Sequence, residues 1–290
     1  MIIWLASYPK SGNTWLRAFI SSVLFTKDGL MQKSLWAKIP QFPLFSHFED
    51  LIDNIDNKDI FYLKKKEHVS KIFSELINAQ IRLNLQYKIK FLKTHFLNCK
   101  VDKYNFTDLN NTLGTIHIVR DPRNVITSLK NHFDFQDYNQ ASEFLFDEQK
   151  WLIEKKKQTP LFAPTLISSW KTHYNMWKQS KKNYLLVKYE DLIENPINTF
   201  EKIKDYLEKI MNIIIDQRVF MNAIESTSFE KLKKMENNNE FDENALNKVD
   251  KKITFFKFGK KNKWEEILQK EIITEIEKKF YKEMKELDYI

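Results

Sequence analysis

The sequence predicts an α/β fold in which a central, mostly parallel sheet is flanked by helices. Short apolar runs recur along the chain with helical patterns between them, and this alternation favours βαβ units. The runs are continuously apolar, as is typical of strands that are buried on both faces of a parallel sheet. The sequence contains no internal repeat and no proline- or serine-rich linker, so we expect a single domain over residues 1–290.

The order of these elements can be derived along the chain. The predicted strands are residues 2–6, 89–93, 114–119 and 184–188. Apolar residues at helical spacing between Trp15 and Leu24 predict a helix directly after the first strand. Asp121 suits an N-cap and Pro122 the first turn of a helix, so a second helix is expected over residues 122–132. Further helices are predicted at 140–157, 165–181 and 264–287.

Two segments do not follow this alternation. Residues 31–88 are rich in aromatic and charged side chains without a clear period, and we predict a substrate-side insertion there. Phe42, Phe45 and Phe48 within it are candidates for an apolar acceptor pocket, with packing in the core as the alternative. Residues 236–252 are polar and are predicted to form a mobile lid.

Composition limits the classes of function. With 47 Lys plus Arg against 39 Asp plus Glu, the formal charge is +8, which is typical of a protein with an anionic partner or of a lysine-rich genome. The single Cys99 excludes a disulfide framework and a multi-cysteine zinc site. No apolar run is long enough for a transmembrane segment, and the first residues lack the basic region of a signal peptide. We therefore expect a cytoplasmic protein.

The turn after the first predicted strand has the features of an anion-binding loop. Ligands of open α/β sheets bind at the carboxyl ends of strands, which is where Lys10, Ser11, Gly12, Asn13 and Thr14 stand. A glycine lets backbone N–H groups approach an anion, and the following helix N-terminus adds positive potential. The sequence is not a Walker A motif, because the lysine precedes the glycine. An ordinary turn with a solvated lysine is the alternative.

Two further strand ends carry candidate residues. His95 follows the second predicted strand and is a candidate general base. Arg120 follows the third at its strand end, and Ser128 lies eight residues later, two turns into the predicted helix. A planar guanidinium suits bidentate binding of phosphate, so Arg120 and Ser128 are expected to bind one anion. A surface pair between Arg120 and Asp121 is the alternative.

Six segments, in order, resemble the motifs of the cytosolic-type sulfotransferases. Residues 8–15 (YPKSGNTW) resemble the family's phosphosulfate-binding loop, and residues 93–95 (KTH) its catalytic-base element. Residues 120–128 (RDPRNVITS) resemble its 3′-phosphate motif. Residues 189–192, 227–229 and 257–264 resemble its tyrosine element, its adenine-side segment and its closing glycine–tryptophan motif. The resemblance extends from about residue 2 to residue 264.

The resemblance implies transfer of a sulfuryl group from 3′-phosphoadenosine 5′-phosphosulfate (PAPS) to a hydroxyl or amine of a small-molecule, lipid or glycan acceptor. It implies that His95 is the base, that Lys10 and Lys93 stabilise developing charge, and that no metal or nucleic acid takes part. The implied nucleotide-binding residues are Lys10, Ser11, Gly12, Asn13, Thr14, Trp15, Arg120, Ser128, Tyr189, Thr227, Phe229, Lys257, Phe258 and Gly259. The closing motif departs from the family pattern, because Asn262 replaces a second glycine and one cation is lost. No dimerisation element is evident, so the oligomeric state stays open.

Two other functions remain open from the residues alone. A P-loop-type small-molecule kinase shares the strand–loop–helix arrangement but needs a glycine–lysine–serine/threonine order that this loop lacks. A non-catalytic basic module for nucleotide or nucleic acid is supported by the lysine runs at 64–66 and 155–157. Such runs are also typical of solvated helix faces.

Overall fold

The computed structural model describes residues 1–48, 66–85, 88–153, 162–241, 243, 252–257, 259 and 262–290. The strands are β1 (Ile2–Ser7), β2 (Lys90–Thr94), β3 (Lys100–Val101), β4 (Tyr104–Asn105), β5 (Thr112–Val119), β6 (Trp151–Leu152), β7 (Thr165–Leu166) and β8 (Tyr184–Lys188). Within the described residues, β2, β1, β5 and β8 form the central sheet in that order. Each neighbouring pair in it is parallel. The predicted α/β fold is therefore confirmed, as are all four predicted strands.

Helices follow the long strands and pack around the sheet. They are α1 (Asn13–Phe25), α2 (Lys66–Asn84), α3 (Pro122–His132), α4 (Tyr138–Phe146), α5 (Trp170–Lys178), α6 (Tyr189–Glu194), α7 (Pro196–Met211), α8 (Gln217–Ser226), α9 (Phe229–Asn237), α10 (Trp264–Ile267), α11 (Lys270–Lys279) and α12 (Tyr281–Glu286). Short 3₁₀ turns lie at Lys33–Lys38 and Phe45–His47. No helix in the described part of the chain is both long enough and apolar enough to cross a bilayer.

The predicted helix at 122–132 is confirmed to the residue, for the predicted reason. The Asp121 side chain accepts a hydrogen bond from the backbone N–H of Arg123, and Pro122 occupies the first helical position. That arrangement satisfies one of the free N–H groups at the helix start and needs no N–H from the proline.

The other predicted helices differ from the structure at their ends. The helix expected at 140–157 ends at Phe146, and Trp151–Leu152 instead pairs with Thr165–Leu166 in an antiparallel ladder. The helix expected at 165–181 starts at Trp170, where the Ser169 hydroxyl accepts a hydrogen bond from Thr172 N–H. Residues 264–287 form three helices rather than one. The breaks coincide with Leu268 and Phe280, which stay buried, so the apolar pattern continues through them.

The aromatic residues of segment 31–48 pack in the core. Phe42 and Phe48 are almost fully buried in the cluster around Trp4, and the ring centroids of Trp4 and Phe42 are 5.3 Å apart. Phe45 packs against the same cluster. None of the three is part of the cavity lining that the described residues form, so their proposed place in an acceptor pocket is wrong and the core alternative is correct.

The carboxyl edge of the sheet collects the candidate residues. α6 starts directly after β8, and α1 and α3 start a few residues after β1 and β5. The N-termini of these helices, with their free N–H groups, lie at this edge. Residues 40–42 run beside β2, since Phe42 N–H donates to the Lys93 carbonyl at 2.8 Å and Lys93 N–H donates to the Pro40 carbonyl at 3.0 Å. This pairing fixes Lys93 at one side of the edge.

Candidate functional site

A cavity of about 1260 Å³ lies at this carboxyl edge. Of the predicted site residues, the described lining includes Lys10, Gly12, Asn13, Thr14, Trp15, Lys93, His95, Arg120, Ser128, Tyr189, Phe229, Lys257 and Gly259. The charged side chains in that lining are six basic and one acidic. Such an excess of cations in a concave site is typical of a pocket for a polyanion.

The loop between β1 and α1 has a backbone shape that depends on Gly12. Gly12 has φ +100°, and a Cβ at this position would lie 2.3 Å from the ring of Tyr189. Its carbonyl accepts a hydrogen bond from Trp15 N–H at 3.0 Å, and Ser11 N–H donates to the Tyr8 carbonyl at 3.3 Å. Only glycine adopts this conformation while allowing the aromatic ring so close.

The side chains of this loop have two different tasks. Asn13 turns away from the loop, and its Nδ2 donates to the Leu5 carbonyl at 2.8 Å and to Ser7 Oγ at 3.1 Å. It thereby ties the start of α1 to β1. Ser11 Oγ and Trp15 Nε1 are buried and have no hydrogen-bond partner in the described protein. Buried polar groups are normally paired, so these two atoms indicate a place for a ligand.

His95 is held in a single orientation. Its Nδ1 lies 2.7 Å from the Ser7 carbonyl and 3.2 Å from Ser7 Oγ. A carbonyl only accepts hydrogen bonds, so Nδ1 carries the proton and Nε2 is free to take one. Burial, followed by the charge of Lys93, holds the pKa of His95 well below its usual value. His95 is therefore a neutral imidazole that lines the cavity.

The two lysines of the site have different surroundings. The ammonium of Lys10 lies 3.5 Å from the ring centroid of Phe255. Burial, together with the charges of Lys93 and Arg120, lowers the pKa of Lys10 to about 7. Lys93 is buried on β2, and its Nζ lies 3.7 Å from Oε2 of Glu243. Burial lowers the pKa of Lys93 as well, and Glu243 opposes that effect.

Arg120 connects three strand ends. Its guanidinium lies 4.2 Å from the ring centroid of Tyr189, at the end of β8, and Nη1 donates to the Lys10 carbonyl at 3.0 Å. Its Nε is buried without a partner in the described protein. The alternative of a pair with Asp121 is not what the structure has, because Asp121 binds Arg123 at 2.7 Å. Arg120 is thus free to direct its remaining N–H groups to a ligand.

The described residues of the closing motif (257–264), here called the closing segment, pack on α3, which also carries Ser128. Lys257 Nζ donates to Asn131 Oδ1 at 2.8 Å. Gly259 has φ +52°, and a Cβ there would lie 2.6 Å from the ring of Phe229. Phe258 lies outside the described residues. Lys257, Ser128 and Gly259 consequently line the same cavity.

Asn262, which departs from the family pattern, has a structural task. Its Oδ1 accepts a hydrogen bond from Thr127 Oγ1 at 2.7 Å, and its Nδ2 donates to the Asn124 carbonyl at 3.0 Å. A glycine makes neither bond. The substitution therefore fastens the closing segment to α3 rather than releasing it.

Two predicted nucleotide-binding residues lie outside the described lining. Thr227 is fully buried, and its hydroxyl donates to the Ala223 carbonyl at 2.6 Å within the end of α8. Ser11 lies beneath the loop surface with its hydroxyl unpartnered. The roles of Thr227 and Ser11 in nucleotide binding stay predictions.

Sequence reasoning missed three charged residues of the described lining, namely Lys150 and the pair of Arg17 and Glu243. All three line the cavity, and Arg17 Nη1 lies 2.5 Å from Oε1 of Glu243. A signal for Arg17 was available, because it is an isolated arginine flanked on both sides by apolar residues of α1. Glu243 stands in a polar segment and offers no such signal.

Part of the cavity lining, which we call the apolar end, is rich in apolar side chains. The described apolar residues there are Pro40, Leu44, Phe133, Phe135, Phe144, Trp151, Leu152, Ile153, Phe162 and Ala163. They come from segment 31–48, from the α3–α4 connection, from α4 and from the β6–β7 ladder. Apolar walls with few polar groups are typical of binding sites for small molecules.

Comparison with known proteins gives a consistent result. The model of the family described as "Sulfotransferase domain" matches residues 2–288. Sulfotransferase 1B1 of Canis lupus familiaris is 26% identical over 235 residues, which cover 80% of this chain and 66% of the relative. Flavonol 3-sulfotransferase of Flaveria bidentis is 24% identical over 285 residues, covering 95% and 79% of the two chains.

A solved structure supports the fold. Retinol dehydratase, crystallised with androsterone and the inactive cofactor PAP, superposes with a TM-score of 0.60. The alignment covers 98% of this chain and 80% of that one at 17% identity. The family match extends over nearly the whole chain, and it includes every strand end that lines the cavity. The chain therefore belongs to the sulfotransferase domain family.

Proposed function

We propose that this sulfotransferase takes the sulfuryl group from PAPS and delivers it to a hydroxyl or amine of an apolar small molecule. The observation that carries the proposal is the position of His95. It is a neutral imidazole in the same cavity as Lys10 and Lys93, and the lining of that cavity also contains many apolar side chains. That arrangement suits removal of a proton from an acceptor beside an anionic donor.

The residues at the cationic end fit PAPS. Ser11 Oγ, Trp15 Nε1 and Arg120 Nε are buried without partners in the described protein, and phosphate oxygens would satisfy such groups. The loop at residues 10–15 and the N-terminus of α1 would hold the 5′ end of the nucleotide. Arg120, Ser128, Lys257 and Gly259 would hold its 3′-phosphate, with Tyr189, Thr227 and Phe229 beside the nucleoside. When bound, PAPS supplies the activated sulfuryl group.

The protein's own groups then have distinct tasks. Ser7 fixes the His95 ring through Nδ1, so that Nε2 takes the proton from the acceptor hydroxyl or amine. General-base catalysis of this kind contributes about 10²–10⁴-fold. Lys10 and Lys93 place positive charge where negative charge develops on the reacting oxygens. These are the roles that the resemblance implies for the three residues.

The apolar end favours a small apolar acceptor over a glycan. It contains nine described aromatic or aliphatic side chains larger than alanine from four separate segments, among them Phe133, Phe135, Phe144, Leu152, Ile153 and Phe162. A sugar has many hydroxyl groups that such a wall leaves without partners, and each one costs free energy when it is buried. The relative from Flaveria bidentis is named for a flavonol, which is an aromatic small molecule.

Two further predictions belong to the proposal. Residues 236–252 are proposed to close over the nucleotide; residues 242 and 244–251 lie outside the described residues, and Glu243 of this segment lines the cavity. Protease digestion with and without saturating nucleotide tests this, since closure predicts slower cleavage in the segment. A cytoplasmic location is also proposed, on the strength of the single Cys99.

The test is transfer from PAPS to a panel of phenols, steroid alcohols, amines and sugars. Mass spectrometry is expected to show a gain of about 80 Da on apolar members of the panel. Thermal stabilisation by 3′-phosphoadenosine 5′-phosphate (PAP) is compared with that by ATP and Mg²⁺, because a ligand raises stability according to its excess over Kd. Stronger stabilisation by ATP and Mg²⁺, with no transfer to any acceptor, would contradict the proposal and favour a kinase.

A further inference from the structure

We propose that Arg17 and Glu243 are positioning residues for sulfuryl transfer, because Arg17 holds the Glu243 carboxylate beside Lys93 and this carboxylate keeps the side chain of Lys93 charged inside the cavity. The inference rests on the proposed function, in which Lys93 stabilises developing charge. It adds two residues to the reaction that none of the six matching segments contains.

The carboxylate of Glu243 lies between the side chains of Arg17 and Lys93. Glu243 Oε1 lies 2.5 Å from Arg17 Nη1, and Oε2 lies 3.7 Å from Lys93 Nζ. Arg17 is itself fixed, since its Nη2 donates to the Trp36 carbonyl at 2.8 Å. One carboxylate thus bridges a helix residue and a strand residue, and the helix residue has a second anchor. The bridge sets where the end of the Lys93 side chain lies.

The two contacts of Glu243, with Arg17 and with Lys93, have unequal lengths. The contact between Glu243 and Arg17 has hydrogen-bond length, whereas 3.7 Å between Glu243 and Lys93 exceeds it. An ammonium has three N–H donors. Glu243 therefore supplies Lys93 with a nearby negative charge while the N–H groups of Lys93 stay available for a reacting group. A carboxylate bonded directly to Lys93 would compete with the substrate for those donors.

Glu243 also affects the charge of Lys93. Arg17 and Lys93 are both buried, with exposed side-chain fractions of 3% and 11%. A buried ammonium without a counterion tends to lose its proton, as the lowered pKa of Lys10 illustrates. Glu243 opposes this loss at Lys93, and the two cations hold the pKa of Glu243 at about 2. Two cations and one carboxylate leave one net positive charge facing the cavity, as a developing anion requires.

Other titratable groups also act on Lys93 or its neighbours. Arg17 lowers the pKa of Lys93. Lys93 in turn lowers the pKa of Lys10, of His95 and of His132, whereas Glu243 raises the pKa of Lys10 and of His95. Since His95 and His132 are neutral, they add no counterion. Among the described groups, Glu243 is the carboxylate that forms an ion pair with Lys93.

The test compares Glu243→Gln with Glu240→Gln. Glutamine keeps the size of the side chain and removes its charge. Glu240 lies three residues earlier in the same segment, and its carboxylate accepts a hydrogen bond from Asn238 outside the described cavity lining. For Glu243→Gln, kcat at pH 9 relative to kcat at pH 7 is expected to fall about tenfold further than in wild type, because an opposite charge within ~4–6 Å is lost. Glu240→Gln is expected to follow the wild-type profile.

A second measurement does not depend on turnover. Lysine side chains are labelled with ¹³C, the Lys93 signal is assigned by its absence in Lys93→Met, and the nucleotide-free protein is titrated by NMR. The Lys93 signal is expected to titrate at lower pH in Glu243→Gln than in wild type or Glu240→Gln. An unchanged titration would overturn the inference even in an active enzyme. Absence of transfer by wild type, with the expected titration, would instead contradict the proposed function.

A double-mutant cycle tests whether Arg17 acts through Glu243. If the two form one unit, Arg17→Met is expected to reduce kcat in wild type but to add little in the Glu243→Gln background. Additive effects would show that Arg17 does not act through the carboxylate. A higher kcat in Glu243→Gln would also contradict the inference, since it would mean that the carboxylate opposes the reaction.

Discussion

The two ends of the cavity are built in different ways. The cationic end is built mainly from chain segments that directly follow strands, namely the loop after β1, the start of α3 and the start of α6, and the closing motif packs against them. Backbone bonds and close packing fix it, as the contact between Gly12 and the Tyr189 ring shows. The apolar end is lined by side chains from segments that are distant in sequence. One end is made by local chain geometry and the other by tertiary packing.

Because of this difference, we expect residues at the cationic end to tolerate fewer substitutions than residues at the apolar end. At the cationic end, a changed residue alters a backbone path or removes a charge that the reaction uses. At the apolar end, one hydrophobic side chain can replace another at small cost, provided that volume is kept. We therefore expect reaction chemistry to be lost by changes at the first end and acceptor preference to shift by changes at the second.

The largest effect on transfer is expected for substitution of His95, the candidate base in the cavity. In His95→Asn the proton acceptor is lost, and transfer is expected to fall about 10²–10⁴-fold. PAP binding is expected to persist, because His95 binds Ser7 and is not among the nucleotide-binding residues. Single-turnover assays measure the rate of transfer, and thermal stabilisation by PAP measures binding of PAP. Loss of both together would mean that His95 supports the fold of the loop, and near-normal transfer would exclude it as the base.

The next effect tests how strictly the cationic end depends on backbone shape. Gly12→Ala places a methyl group 2.3 Å from the Tyr189 ring at φ +100°. We expect a loss of about 1–3 kcal/mol in the free energy of unfolding and a weaker affinity for PAP. Urea denaturation and calorimetry measure the two quantities.

Gly114→Ala is the matched control for this variant. A Cβ at Gly114 meets the hydroxyl of Tyr206 at the far side of the sheet from the loop. Some stability is expected to be lost there too, while PAP affinity stays at the wild-type value. If Gly12→Ala also kept wild-type affinity, the constraint that we ascribe to the cationic end would be absent.

The sequence was informative about the cationic end for a physical reason. Strand ends and helix starts are encoded by neighbouring residues, so the position of Arg120 follows from an apolar run and the Asp121–Pro122 cap. The edge of a parallel sheet then brings such ends together without any further information. In this way the sequence predicted that the loop, His95 and Arg120 would meet at one edge of the sheet, and they line one cavity there.

The remainder depends on contacts between distant parts of the chain. The pair of Arg17 and Glu243 is separated by 226 positions, and no local pattern links them. Phe42 and Phe135 are both phenylalanines near polar residues, yet one is buried in the core and the other lines the cavity. Which of them reaches a ligand is decided by packing, and composition does not reveal it.

A smaller effect is expected at the apolar end. Phe135 packs beside Phe133 and Phe144, with ring centroids 5.6 and 5.7 Å away. Phe135→Ala is expected to raise KM for an apolar acceptor about tenfold, since apolar side chains in a pocket discriminate by ~1–3 kcal/mol. The Kd for PAP is expected to stay unchanged. Phe25→Ala, at an exposed site outside the described lining, is the control. A changed Kd for PAP in Phe135→Ala would contradict the prediction that the apolar end affects acceptor binding alone.

The smallest effect concerns the charge of Lys10. Since the pKa of Lys10 is lowered to about 7, the ammonium is charged below that pH and loses its proton as the pH rises above it. A polyanion binds the charged form better, so PAP binding is expected to take up a proton at pH 8. Affinity is then expected to decrease above pH 7, by at most about tenfold per pH unit for one proton.

Calorimetry in two buffers of different ionisation enthalpy measures this proton uptake directly. At pH 8 the histidines of the cavity are neutral, because burial lowers the pKa values of His95 and His132, so they contribute little. Lys10→Met is expected to abolish the uptake, whereas Lys263→Met, at an exposed lysine paired with Glu266, is expected to retain it. Equal uptake in Lys10→Met and wild type would assign the proton to another group. In that case the cationic end would owe its affinity to Arg120, Lys93 and the backbone of the loop, and its charge would not depend on pH near neutrality.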